Sequence, residues 1–138
     1  HCANNIVVRF SGIYGPGRVS LLRRVREGKP IQYSPPYYSN RIHEEDCLGV
    51  LCFLIGRMLS DKPLKNLYLA SDSAPVPLAD VALSLSELMS CPRPPAKPED
   101  LTLAKMNKRC RNDRLLRLGY VLRYSSYQKG YGKLLEST

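Results

Sequence analysis

The chain alternates between two hydrophobic rhythms. Ile6–Phe10 (IVVRF) is a short apolar, β-branched run, as expected of a strand buried on both faces in a parallel sheet. Ser11–Arg18 (SGIYGPGR) interrupts it with three glycines and a proline and reads as a loop. Val19, Leu21, Leu22 and Val25 then recur on one helical face, with Gly28 ending the helix and Arg23, Arg24 and Arg26 mostly on its other faces. Lys29–Asn40 holds three prolines and three tyrosines and predicts a loop, with a short strand at Ile31–Tyr33. His43–Asp46 (HEED) opens an apolar stretch that runs to Leu59. Its acidic residues suit the positive end of a helix dipole, and the apolar character nearly all round predicts a well-buried helix. Asp61, Lys62 and Pro63 stop it.

A second strand is expected at Asn66–Ala70, a turn at Ser71–Pro77, and an amphipathic helix at Leu78–Met89. Cys91–Pro98 has four prolines and must be extended. Lys105–Arg111 is basic and fits either loop or strand; Asp113–Leu118 forms a short helix closed by Gly119. Ser125 or Ser126 would open a last helix to about Leu135, which Gly130 and Gly132 weaken. This order defines an α/β class. Two strands alone make a poor sheet, because buried parallel strands need neighbours. The expectation is therefore part of a larger sheet. The polar start His1–Asn5, without Met, reads as a cut inside a longer protein.

Composition narrows the function classes. With 138 residues, 43% hydrophobic and 24% charged, the chain suits one soluble domain with a modest core. The longest apolar stretch, Cys47–Ile55, is too short for a bilayer, and the opening residues do not read as a signal peptide. The net charge of +9 permits anionic partners. The basic residues are dispersed, however, with the densest groups at Arg23–Arg26 and Lys105–Arg114, and no aromatic-interleaved RNA-binding pattern accompanies them. A basic face is the simpler expectation, and nucleic acid is a minor alternative. Five irregularly spaced cysteines with two histidines and no C-x-x-C pair argue against zinc and for reduced, mostly buried thiols in a cytoplasmic protein.

Gly12, Gly15 and Gly17 lie between strand and helix, a context that invites a dinucleotide reading. The spacing is G-x-x-G-x-G rather than G-x-G-x-x-G, Pro16 removes an N–H, and residues 29–42 hold no acid for a ribose. Tight-turn geometry at the carboxyl end of a strand accounts for these glycines better.

Four segments carry a family resemblance. Arg9–Arg18 (RFSGIYGPGR) is similar to the R-x-x-x-x-Y-G-P segment of extended short-chain dehydrogenase/reductases of the NAD-dependent epimerase/dehydratase kind. Asn40–Asp46 (NRIHEED) resembles the family's histidine–acid segment, and Leu67–Asp80 its Y-N-V-x-D-x-x-P strand and turn. Lys108–Tyr120 (KRCRNDRLLRLGY) resembles its closing K-R-x-x-N-x-x-L-x-x-L-G-W/Y segment, after which Tyr124–Gly130 leads into a final helix. The resemblance spans nearly the whole chain. It implies the C-terminal portion of a Rossmann-type parallel sheet with a small substrate-side lobe, residues 1–138 forming a single fragment of that domain.

The resemblance also implies NAD or NADP as cofactor, with Gly12, Tyr14, Gly15 and Pro16 beside it and Arg18, Arg41, His43 and Tyr38 toward substrate. Two positions depart from the family: Gly12 stands where Asn is common, and Ser39 where nucleotide-sugar epimerases carry Arg. From its residues, His43 reads as a structural helix start and Asp46 as a dipole partner, while Arg41 fits an anion contact or a surface position equally. Tyr33, Tyr37 and Tyr38 could line a cleft or pack on the lobe. The family's G-x-x-G-x-x-G and its catalytic Tyr-x-x-x-Lys would lie upstream of His1; none of the nine tyrosines has Lys four residues later. The implied partners are the missing N-terminal half or a homo-oligomer copy, and a small-molecule substrate; no membrane is implied. Inactivity of the isolated chain follows, with a non-enzymatic binding or assembly subunit as the alternative.

Overall fold

The structure is a computed structural model and describes residues 5–100, 102 and 107–136. β1 (Val7–Phe10) lies parallel to β5 (Leu67–Ala70), with Val7 opposite Leu67 and Phe10 opposite Ala70. One residue later the chain enters β2 (Gly12–Tyr14), which runs parallel to β4 (Arg41–His43). The third pairing is antiparallel, β3 (Tyr38–Ser39) with β6 (Val76–Pro77). The helices are α1 (Ser20–Arg26), α2 (Glu44–Leu59), α3 (Leu78–Leu88), α4 (Asp113–Arg117) and α5 (Tyr127–Glu136).

The β2–β4 pair separates two cores. Side chains alternate across a strand, so Ile13 and Ile42 enter one core with Val50, Leu54, Tyr68 and Leu115. Tyr14 enters the other, with Leu22, Val25 and the buried faces of α3 and α5. Glu44, Glu45 and Asp46 occupy the first turn of α2 and Arg57 its last, each complementing the dipole.

Several expectations are corrected. Ser11–Arg18 is not wholly loop, because pairing with β4 makes Gly12–Tyr14 a strand, a contact with residues far along the chain. Likewise Ser71–Pro77 ends in β6 because Tyr38 and Ser39 pair with it. At Ile31–Tyr33 there is only an isolated bridge from Ile31 to Ala96. Of Lys105–Arg111, residues 105 and 106 lie outside the described set, and 107–111 form neither helix nor strand. α2 is not buried all round: Val50 and Leu54 face the core, but Leu48 is 64%, Ile55 53% and Leu59 81% exposed. Nor are the thiols mostly buried among the described residues, since Cys52 is exposed and Cys47, Cys91 and Cys110 are half-buried; Cys2 lies outside the described residues. All four described thiols are free. No helix among the described residues is long and apolar enough to cross a membrane.

Candidate functional site

The carboxyl ends of β2, β4 and β5 converge. Tyr14 ends β2 and His43, its register partner, ends β4. Ser71 and Asp72 follow β5; the Asp72 N–H donates to the Arg41 carbonyl at 2.8 Å, which ties the third strand end to the second. Ligands in open α/β sheets bind outside such strand ends.

Aromatic rings enclose the cluster. Tyr14 stacks on Tyr131 at 4.3 Å between centroids and meets His43 edge-on at 5.2 Å. His43 in turn lies 4.1 Å from Tyr124. The His43 Nδ1 caps α2 by accepting the Glu45 N–H at 3.2 Å, which leaves the proton of the neutral ring on Nε2. Arg41 is buried and donates through Nη2 to the Ser39 hydroxyl at 2.5 Å, and its guanidinium sits 5.5 Å from the Tyr127 ring.

Three buried polar atoms of this cluster have no hydrogen-bond partner among the described residues: the Tyr14 hydroxyl, the Arg41 Nη1 and the Asp72 Oδ2. Burial pushes the Tyr14 phenol well above its ordinary range, with the Asp72 charge adding to it. Burial likewise raises the Asp72 carboxyl to about 6, against the opposing pull of the Ala74 N–H and of Arg41. The cluster thus holds a cation, a carboxylate that titrates near neutrality and a phenol that keeps its proton.

The eight residues singled out from the sequence fall in three places. Tyr14, Gly15, Arg41 and His43 are buried around these strand ends, with Gly12 the register partner of Arg41. Pro16 and Arg18 are exposed on the turn that follows. Tyr38 lies apart on β3, where it pairs with Pro77 and carries the Arg109 guanidinium 4.3 Å over its ring.

Sequence reasoning passed over Asp72, although it holds the acid position of the Y-N-V-x-D-x-x-P segment, two residues past the end of β5. It also undervalued Asp46. That carboxylate accepts the Tyr120 hydroxyl at 2.9 Å, the Arg123 N–H at 2.8 Å and the Tyr124 N–H at 2.9 Å. It fastens the segment that brings Tyr124 onto His43, beyond any part in the helix dipole.

The glycines do not fit a dinucleotide pyrophosphate. A β-carbon on Gly15 would meet the Glu44 side chain at 2.6 Å, and one on Gly12 the Asn40 carbonyl at 3.2 Å. Their missing side chains make room for this chain's own atoms, and an anion would face a carboxylate at Gly15.

Parallel strands joined through helices, with polar side chains at their carboxyl ends, define a partial Rossmann-type α/β fold. In fold and sequence the chain is similar to one half of proteins of the NAD-dependent epimerase/dehydratase family. A protein from Methylobacillus flagellatus assigned to the NAD-dependent epimerase/dehydratases is 32% identical over 96% of this chain and 46% of its own, with a TM-score of 0.76. A conserved protein of unknown function from Silicibacter pomeroyi is 33% identical over 96% of this chain and 49% of its own, with a TM-score of 0.79. A human epimerase family protein solved with NADPH shares the fold at a TM-score of 0.78, with 15% identity over 98% of this chain and 49% of its own. The chain thus spans about half the length of these solved proteins. No family model and no curated protein matches it.

Proposed function

We propose that this chain is the substrate-side part of an NAD(P)-dependent epimerase/dehydratase or reductase and does not turn over substrate alone. The observation that carries the reading is the meeting of Tyr14, His43, Arg41 and Asp72 at the ends of parallel strands, without a pyrophosphate cradle or a Tyr-x-x-x-Lys pair in the same chain. In that reading a second polypeptide segment holds NAD or NADP, which supplies hydride transfer when bound, and carries the proton-transfer pair. This chain contributes the wall against which a small-molecule substrate rests, with the Pro16–Arg18 turn exposed at its rim.

Two surface features support a covering partner. β1 is paired with β5 on one side, and no other strand pairs with it among the described residues. Leu48, Leu51, Ile55 and Leu59 form an exposed apolar stripe on α2, of the kind that marks an interface. A half-sheet of this kind dimerises, is held by a partner, or aggregates.

The test titrates NADH and NADPH into the chain alone, then into the chain mixed with a polypeptide carrying the G-x-x-G-x-x-G and Tyr-x-x-x-Lys segments. Binding and turnover are expected only in the mixture. Cofactor-dependent turnover by the chain alone overturns the reading. Failure in both, with a pull-down that recovers an unrelated acidic protein, favours a binding subunit that uses the +9 charge.

A further inference from the structure

A groove of about 690 Å³ runs along the outer side of β5, between it and α4, and shares no residue with the Tyr14–His43 cluster. Its floor is aliphatic, with Leu67, Leu69 and Leu118 half-buried there. Its rim is basic: Lys65, Arg111, Arg114 and Arg117 face a single acid, Asp113. One Asp113 oxygen holds both Arg111, at 2.6 Å, and Arg117, at 3.6 Å, so two guanidiniums share one carboxylate.

An extended peptide is a poor occupant. The Asn66 carbonyl accepts from Val7 at 2.8 Å and the Ala70 carbonyl from Ser11, just past β1, at 3.0 Å, so the alternating Leu67 and Leu69 backbone groups point toward the groove. The Arg114 Nη1 already donates to the Leu67 carbonyl at 3.0 Å, and Leu115 anchors α4 in the adjoining core. α4 therefore closes the edge to another strand. A nucleobase also fits poorly, because the Tyr68 ring is buried in the core and offers no face for stacking. What remains is an alkyl chain on the leucines with an anionic head among the cations. A phosphate monoester, with two charges and three acceptor oxygens, can engage more of these cations at once than a carboxylate, which at Asp113 already serves two.

We propose that this groove binds a small amphiphile made of a phosphate monoester on an aliphatic chain. Its volume lies in the range of small-molecule sites, and the apolar floor with few convergent polar groups has their usual composition.

The test is calorimetric titration of the full chain with octyl phosphate below its aggregation concentration, beside octanoate, inorganic phosphate and octanol. Octyl phosphate is expected to bind saturably at a single site, about tenfold or more tighter than each of the other three. The exposed pair Lys65→Gln and Arg117→Gln should weaken it about tenfold or more. The pair Arg23→Gln and Arg24→Gln on α1 should leave it unchanged. Absence of saturable binding overturns the proposal. So does equal weakening by both variant pairs, which would mark general attraction to a basic protein. Octanoate binding as tightly as octyl phosphate overturns the assignment of the head group.

Discussion

The phenol of Tyr14 fills the space that a side chain at position 130 would need: a β-carbon on Gly130 would lie 1.8 Å from its hydroxyl oxygen. Tyr14 is held by the stack on Tyr131 and the edge contact with His43, so it cannot swing aside. α5 approaches β2 this closely because residue 130 is glycine.

Gly130→Ala should therefore destabilise the fold by about 2 kcal/mol through overpacking, although alanine ordinarily gains about 1 kcal/mol over glycine inside a helix. Gly132→Ala, two residues on with nothing within 4 Å of its β-carbon, should stabilise by about 0.5–1 kcal/mol. Urea denaturation of the two variants checks the difference in sign.

Asp46→Asn should cost about 2–4 kcal/mol, because an amide nitrogen would face a donor where a carboxylate oxygen now accepts one. The loss should release residues 120–124 first. Hydrogen exchange at the Arg123 and Tyr124 amides should accelerate more than at the β1–β5 amides; uniform acceleration would refute this local role.

The raised Asp72 carboxyl fixes the sign of a pH dependence. Its folded value, about 6, lies above its ordinary 3.8, so between these values the folded state binds more protons than the unfolded one. Stability should consequently fall as pH rises from about 4 to about 6 and then level off, by roughly 2–3 kcal/mol from this group. Asp72→Asn should flatten that part of the profile. Denaturation midpoints between pH 4 and pH 8 decide it, and an unchanged slope in the variant would assign the effect elsewhere.

Burial pushes the Cys47 thiol up to about 11, with the Asp46 charge adding to the effect, whereas Cys52 is exposed. The thiolate is the reactive form. Alkylation of the native protein at pH 8, followed by peptide mapping, should label Cys52 well before Cys47.

Much of the local structure is legible in the chain. The acidic opening at Glu44–Asp46 and the Asp61–Pro63 stop marked α2, and β-branched or aromatic residues marked β1 and β5. The strand at Gly12–Tyr14 was not legible, because its hydrogen bonds go to residues 41–43 and no local signal announces that partner. The final helix was undervalued for its glycines, since helix propensity is a local cost while the Gly130 contact with Tyr14 is a tertiary gain.

The candidate site divides in the same way. Tyr14, Arg41 and His43 stood out as residue types in suggestive segments, yet their meeting depends on the parallel register of β2 and β4. Asp72 held the acid position of the Y-N-V-x-D-x-x-P segment, but its burial beside Arg41 and its raised pKa exist only once β5 ends there.

By itself, the sequence determined the α/β class, the order of the long helices and the absence of a phosphate-binding glycine pattern, because these rest on periodicity and spacing along the chain. Tertiary structure alone decided that Gly12–Tyr14 would be a strand, that one face of α2 would stay exposed, and that a phenol, a guanidinium and a carboxylate would share one buried site. Each of these depends on free energy exchanged between residues distant in the chain, which no local pattern encodes.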